Sequence, residues 1–523
     1  MAQRLIGFTS LWDLIEQRAS DTPDARFVID EDGRTLSFAE YRDAGLRAAA
    51  ALAARGIGEG DVVSWQLPTW IEAMVLVGGL ARLGAVQNPI LPIYRDREVG
   101  FVVREAGAKL LVVAGVWRGF DFGAMARAIA AEVPGLEVME VHRGDVLDGD
   151  VASLPVAPVG GEPFAPGERH DGPLRWLFYT SGTTADPKGA RHNDNTVAAS
   201  AYAMVDAFDL TAEDRNALVF PFTHIGGIGW LMSGLMAGCS QVIVEGFIPD
   251  QTIPVLERER VTIAGAGTVF HLAYLAAQRA APDRRLFPET RVFVGGGAAK
   301  PPQLHYEVKE ELGGIGISSG YGLTECPILS IARIDATDEQ LANTEGSLCA
   351  GVDVKVVKLD GAIAARGEEG EIRVNGPNLC LGYMDPVLDS EGFDADGYFR
   401  SGDLGIVRED NHVVITGRLK DVIIRKGENI SAKEVEDLLF THPKIADAAV
   451  IGLPDAASGE RACAIVVAAD AAAPPTLSEL FEFCKAEGLM VQKIPEQIEI
   501  VDVLPRNPTG KVLKHELRKI YAG

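Results

Sequence analysis

The chain has 523 residues, 47% hydrophobic and 24% charged, which is material for a large core and for more than one folding unit. Its 74 acidic against 49 basic side chains leave a formal net charge of −25. A field of that sign repels nucleic acid and anionic membrane surfaces, so the expected partners are small molecules, and any polyanion among them has to meet local positive charge. The six cysteines, Cys239, Cys326, Cys349, Cys380, Cys463 and Cys484, are far apart and form no C-x-x-C pair. That spacing points away from a structural zinc site or a disulfide framework and toward a reduced, cytoplasmic setting.

The first residues lack the apolar run of a signal peptide and lead into a helical pattern at Leu11, Leu14 and Ile15. Residues 73–86 are the most apolar stretch; they contain Arg82 and are too short to span a bilayer, so a buried helix is expected and no membrane segment. Short apolar runs at 62–67, 109–113, 176–179, 218–222, 241–244 and 292–294 read as strands, with Ala/Leu/Arg-rich helical segments such as 44–54 between some of them. This alternation predicts an α/β fold with substantially parallel sheets. Residues 152–172, with Pro155, Pro158, Pro163 and Pro166, read as a surface connection. Near Gly417 the pattern changes: a strand, a helix from about Ser431, strands at 448–451 and 462–467, a helix at 477–485, a strand at 498–501 and a last helix after Lys511. That is enough for a small α+β domain. The predicted division is a large N-terminal domain, 1–418, of layered sheets and helices, followed by a small C-terminal domain, 419–523.

The most informative stretch is Tyr179-Thr180-Ser181-Gly182-Thr183-Thr184-Ala185-Asp186-Pro187-Lys188-Gly189. After an apolar strand, Thr180, Ser181, Thr183 and Thr184 set four hydroxyls around Gly182. Hydroxyls and free backbone N–H groups in a turn suit phosphate oxygens, and Lys188 adds a point charge. It is not a Walker A loop, since the lysine precedes its glycine and no Ser or Thr follows. Composition alone favours an ordinary polar connection; the order of the residues points to phosphate.

In that order the run resembles the signature loop of the adenylate-forming superfamily, which includes acyl-CoA synthetases, peptide-synthetase adenylation domains and luciferases. Ala185 stands where many members have glycine. Gly320-Tyr321-Gly322-Leu323-Thr324-Glu325 resembles the second nucleotide motif of that family. The resemblance implies that Tyr321 lies against adenine, Thr324 bonds the α-phosphate and Glu325 holds Mg²⁺ together with Thr184. An aromatic face, a hydroxyl and a carboxylate so close together suit a purine, a phosphate and a hard cation, although the hexapeptide alone equally fits a turn before a buried helix. Tyr398-Phe399-Arg400-Ser401-Gly402-Asp403-Leu404-Gly405 resembles the motif whose aspartate, here Asp403, takes the ribose hydroxyls; an isolated Ser-Gly-Asp is more often a turn.

Gly417-Arg418-Leu419-Lys420-Asp421-Val422-Ile423 resembles the hinge of the family, with Arg418 on ribose or phosphate and Lys420 as the pivot of a mobile small domain. Arg425-Lys426-Gly427-Glu428-Asn429-Ile430-Ser431 resembles the pantetheine-channel loop, which implies coenzyme A at Lys426, Gly427 and Glu428; a helix cap at Ser431 before Glu434 is compatible with this. Leu504-Pro505-Arg506-Asn507-Pro508-Thr509-Gly510-Lys511 resembles the motif bearing the adenylation lysine, here Lys511, with Asn507-Pro508 departing from the commoner Thr-Ala. The small residues Gly297, Ala298, Ala299 and Gly320 are assigned with these motifs to the nucleotide site, and His224, Gly296, Gly320 and Gly322 to the acid.

The resemblance covers nearly the whole chain and implies ATP, Mg²⁺ and coenzyme A as reactants or cofactors. Lys511, Lys188, Thr324 and Glu325 would carry adenylation of a carboxylic acid, and a thiol would follow. Amino-acid adenylation domains usually place an aspartate just after the Phe222 region to pair the substrate ammonium; here no Asp or Glu follows until Glu245, and an unpaired buried ammonium is costly. No carrier domain is seen after Lys511, and residues 385–418 show no insertion of the kind that marks free acyl-AMP ligases. An acyl- or aryl-CoA synthetase remains, with a stand-alone enzyme that loads a carrier protein as the alternative. His224 reads either as a wall of the acyl pocket or as a packed core histidine. The many glycines around it and in 295–297 leave room for a medium-chain, alicyclic, aromatic or steroid-derived acid, or else serve tight turns and close backbone packing.

Overall fold

The computed structural model describes residues 3–180, 186–297, 300–425, 428–455, 458–507 and 510–522, with the side chain of Glu428 left out. Among the described residues, a nine-stranded sheet has six adjacent parallel strands at its centre: Ile317–Tyr321, Val292–Gly296, Ile263–Gly265, Arg215–Leu218, Ser240–Ile243 and Arg26–Asp30. A second sheet of six strands is parallel through Val86–Pro89, Val62–Gln66, Leu110–Val113 and Glu137–Glu140, and it ends in the antiparallel pair Trp176–Thr180 and Lys188–His192. The largest core lies between these sheets and their helices, with Trp65, Trp176, Phe27 and Tyr41 closed to solvent. The apolar stretch near residue 73 is the helix Ile71–Leu83, ended by Gly84 in the left-handed region (φ 68°). Helix Phe38–Ala54 beside it starts with a capping box between Ser37 and Glu40.

Two expectations change. The run at 218–222 is not a strand: pairing stops at Leu218, because Pro221 offers no N–H and its carbonyl accepts instead from His224 N–H at 3.0 Å, in a turn that starts helix Ile225–Ala237. The chain also forms a four-stranded antiparallel sheet, Asp353–Val357, Gly370–Asn375, Phe399–Val407 and Val413–Arg418, between the parallel layers and the last hundred residues. Its strands alternate buried and charged positions, such as Ile372 beside Arg373, so they lack the continuous apolar runs of the parallel strands.

From Val413–Arg418 the chain passes through one tight turn, Leu419–Asp421, into a small α+β domain. There the hairpin Ile423–Arg425 and Glu428–Ile430 joins the long strands Ile445–Asp455 and Gly459–Ala468, with Gln497–Ile500 on the far edge. Helices Ala432–Leu439 and Leu477–Ala486 pack on one face, and Lys514–Tyr521 packs on the other.

Candidate active site

The parallel strands of the large sheet end together, and a crevice outside such carboxyl ends is where α/β sheets bind ligands. A cleft of about 1110 Å³ opens there, lined by Gly297, Gly320, Tyr321, Gly322, Asp403 and Arg418 and, from the small domain, by Lys511. Gly296 and Gly320 pair in register at the strand ends. A Cβ on Gly322 would lie 1.9 Å from the carbonyl oxygen of Pro327, so this turn accepts only glycine.

Asp403 is buried beside Tyr321 and Arg418. Tyr321 Oη donates to Asp403 Oδ2 at 2.7 Å, and Arg418 Nε lies 2.7 Å from Asp403 Oδ1. Arg418 reaches it because the two residues are direct partners on neighbouring antiparallel strands. Ser401 Oγ accepts from the Asp403 N–H at 3.0 Å and fixes the turn. A carboxylate has about four acceptor positions, so this one can still take hydroxyls from a sugar.

Glu325 and Thr324 are held from behind by residues that no motif singled out. Tyr383, itself buried, donates its hydroxyl to Glu325 Oε1. Burial pushes the Glu325 carboxyl above its ordinary value, against the pull of the Tyr383 hydroxyl and the Lys188 ammonium. Lys188 begins the strand opposite Thr180 and places Nζ 5.8 Å from the centre of the Tyr383 ring. A carboxylate raised by burial is one that a cation would restore. Among the described residues no three His, Cys, Asp or Glu side chains cluster to cage a metal. A single buried carboxylate, Glu325, fits Mg²⁺, which takes one or two carboxylates and completes its shell with phosphates and water. Thr324 offers its carbonyl to His192 Nε2 at 2.9 Å, while His192 Nδ1 meets Thr196 Oγ1 at 3.0 Å. Burial lowers the His192 pKa to about 4, so the ring is neutral and carries its proton on Nε2.

Thr180 and Lys188, at the two ends of the assigned phosphate loop, are direct partners on antiparallel strands. Of its assigned residues, Ser181, Gly182, Thr183 and Thr184 lie outside the described residues, as do Ala298, Ala299, Lys426 and Gly427. Glu428 is described as backbone only, in the strand opposite Arg425.

Lys511 enters the cleft from the small domain. Asn507 holds its loop: Asn507 Oδ1 accepts from Lys511 N–H at 2.9 Å, and Asn507 N–H donates to the Lys511 carbonyl at 2.9 Å. Arg506 grips Asp447 with bonds of 2.7 and 2.9 Å. A Cβ on Gly510 would lie 3.4 Å from Val269 Cγ2, so the loop rests on the first turn of helix Thr268–Ala280. Burial lowers the Lys511 ammonium to about 8, as do the charges of Arg418 and Lys420, against the carboxylates of Asp403 and Asp421. Lys420 sits in the exposed turn between the domains.

His224 caps helix Ile225–Ala237. Its Nδ1 accepts from Gly226 N–H at 3.1 Å, its ring stands edge-on to Phe220, and burial lowers its pKa to about 4. Of the two readings of the glycines next to it, close packing holds: a Cβ on Gly227 would meet the Phe222 carbonyl at 2.5 Å, and one on Gly229 would meet Met204 Cε at 3.2 Å. By contrast a Cβ on Gly297 would meet nothing within 4 Å. Glu245, the first acid after Phe222, is held between two indoles: Trp70 Nε1 donates to it at 2.7 Å and Trp117 Nε1 at 2.5 Å.

Residues 15–384 match the family model of the AMP-binding enzymes, and residues 434–511 match that of the AMP-binding enzyme C-terminal domain. The chain belongs to this family, the adenylate-forming enzymes. It is 32% identical over 522 residues to the medium-chain fatty-acid–CoA ligase of Escherichia coli (strain K12), covering 99% of this chain and 91% of that protein. It is 34% identical over 518 residues to the salicyl-AMP ligase / salicyl-S-ArCP synthetase of Mycobacterium tuberculosis (strain ATCC 25618 / H37Rv), covering 96% and 89%. Among solved structures, ATP-bound MatB from Rhodopseudomonas palustris matches with a TM-score of 0.85 at 28% identity, over 98% of this chain and 99% of that one. Within the family the chain is an AMP-forming acid–thiol ligase. No helix among the described residues is long and apolar enough to cross a membrane.

Proposed function

We propose that the chain is an ATP-dependent acyl-CoA synthetase that joins a hydrophobic carboxylic acid to AMP and passes the acyl group to coenzyme A. The observation that carries this reading is the approach of Lys511, across the cleft, to the Asp403–Arg418 pair. A ribose held by Asp403 and Arg418, with adenine against Tyr321, brings the α-phosphate toward Thr324. Lys511 then stands where the incoming carboxylate and the phosphoryl oxygens build up negative charge, and a fixed cation there lowers the barrier most in a site closed to water. Mg²⁺ on Glu325 would neutralise phosphate charge and help pyrophosphate to leave. For the second half the small domain, residues 419–523, would turn about Lys420 and bring the loop at Lys426, Gly427 and Glu428 to the acyl-adenylate.

The occupied state of Glu245 supports an acid without an ammonium group, since its carboxylate already serves two indoles. Medium-chain, alicyclic, aromatic and steroid-derived acids all fit that description, with His224, Gly296, Gly320 and Gly322 as candidate walls. The likeness to the salicyl-AMP ligase favours one second reading, transfer to the thiol of a carrier protein. Pyrophosphate release over a panel of acids, followed by thioester formation with coenzyme A or a carrier protein, separates the two. A medium-length or ring-containing acid should exceed acetate in kcat/KM, by about 1 kcal/mol for each buried methylene. Acetate as the best acid would refute the hydrophobic pocket, and a thioester formed only on the carrier protein would establish the second reading.

A further inference from the structure

Beyond the nucleotide residues the cleft reaches a second set of charges, drawn from both domains. The large domain supplies Lys300, 5% exposed, whose Nζ donates to the Ala342 carbonyl at 2.6 Å. It also supplies Glu345, tied by its N–H to the Val413 carbonyl at 2.8 Å. The small domain supplies Lys433 and Asp437, ion-paired one turn apart on helix Ala432–Leu439. That helix packs against strand Val413–Arg418, and Ser431 Oγ, at its start, donates to the Thr416 carbonyl at 2.5 Å. Glu345 and Lys433 line the same cleft as Lys511. Burial raises the carboxyls of Glu345 and Asp437, and the charges of Lys300 and Lys433 oppose that rise on both.

We infer that Glu345 and Lys433 are positioning residues, which bias the small domain toward the orientation that presents Lys511 to the nucleotide. The inference rests on the two-step reading above. Each domain brings one cation and one carboxylate, Lys300 and Glu345 from the large domain and the ion-paired Lys433 and Asp437 from the small one. Docking sets opposite charges across the boundary, but it also sets Lys300 near Lys433 and strips water from all four groups. Attraction between buried charges is largely offset by desolvation, so the net bias is small. A contact that breaks in every turnover has to be weak. Neutralising Glu345 leaves Lys300 and Lys433 facing each other with one carboxylate fewer, and the bias reverses.

The test measures both half-reactions separately: pyrophosphate release without thiol, and thioester formation from pre-made acyl-adenylate and coenzyme A. Wild type is compared with Glu345→Gln, Lys433→Met, the double variant and Lys433→Arg. Each neutralising variant should lower adenylation about tenfold, within the range by which coupling residues modulate a two-state element, and leave thioester formation unchanged or faster. The double variant should lose less than the product of the two, because Lys300 and Asp437 then remain as an opposite pair across the boundary. Lys433→Arg, which keeps the charge, should retain adenylation. Trypsin cleavage in the turn 419–422 should be faster in the neutralising variants, which reads the orientation without activity. Equal losses in both halves, independent effects of the two substitutions, or no effect would overturn the inference while the two-step reading stands. A wild type unable to release pyrophosphate with any acid would overturn both.

Discussion

On the large-domain side of the cleft the functional groups are held by neighbours before any ligand arrives. Asp403 is gripped by Tyr321 and Arg418, Glu325 by Tyr383, and the Thr324 carbonyl by buried His192. On the small-domain side Lys511 rests on a loop closed by Asn507 and propped against Val269, and its ammonium is shaped by charges on the opposite wall. The contrast separates two ways of making an electrostatic site. One wall is fixed, so it adds no reorganisation at the moment of reaction; on the proposed two-step reading the other is delivered by a domain, so its charge can be withdrawn when the chemistry changes.

Deleting the delivered charge is the strongest way to break this comparison. Lys511→Ala should slow adenylation by roughly 10²–10³-fold, the usual effect of losing one donor at a developing oxyanion. Thioester formation from pre-made acyl-adenylate should continue at a substantial rate, because Lys511 has then left the site. Normal adenylation would remove Lys511 from the mechanism, and equal loss in both halves would remove the division of labour between the walls.

Titration sharpens the same point. Lys511 acts as a cation, and its ammonium lies at about 8 in place of the ordinary 10.5. The charge is therefore complete only well below pH 8, is half present at that pH and is lost as pH rises above it. In adenylation, kcat/KM for ATP should drop about fiftyfold between pH 8 and pH 10, approaching one decade per unit at the upper end. A profile flat to pH 10 would show an unburied lysine. His192 and His224, each near 4, are neutral throughout and add no limb between pH 5 and pH 8.

The smallest effect tests the fixed wall. Tyr383→Phe removes the hydroxyl that donates to Glu325, which leaves a buried carboxylate easier to protonate and a poorer ligand. Adenylation should fall about tenfold at limiting Mg²⁺ and recover as Mg²⁺ is raised, a loss in line with one hydrogen bond to a charged group. A loss that Mg²⁺ does not repair would make Tyr383 a support for the fold.

Much of this site was legible in order along the chain. Gly320 to Glu325, Asp403, Arg418 and Lys511 stand in runs whose residue types suit the proposed chemistry, and the cleft gathers Gly320, Tyr321, Gly322, Asp403, Arg418 and Lys511, with Thr324 and Glu325 outside its lining. His192 and Tyr383 were not legible. Each lies in a stretch without a motif, and each matters only through the group it touches, 132 and 58 residues away in the chain. The glycines around His224 were ambiguous in sequence for a related reason. A missing side chain can mean space or close contact, and only the neighbours decide: Gly227 lies on the Phe222 carbonyl, whereas Gly297 faces open cleft.

The sequence by itself determined the alternation of strand and helix, the change of character near Gly417 and the kinship with adenylate-forming enzymes, because periodicity and ordered motifs are local properties of a chain. Tertiary structure alone decided that Asp403 and Arg418 face each other across neighbouring strands, that Glu245 is committed to Trp70 and Trp117, and that Glu345 and Lys433 line one cleft. Those relations depend on strand register, burial and domain orientation. They arise when distant segments exclude water together, and no window along the sequence contains both partners.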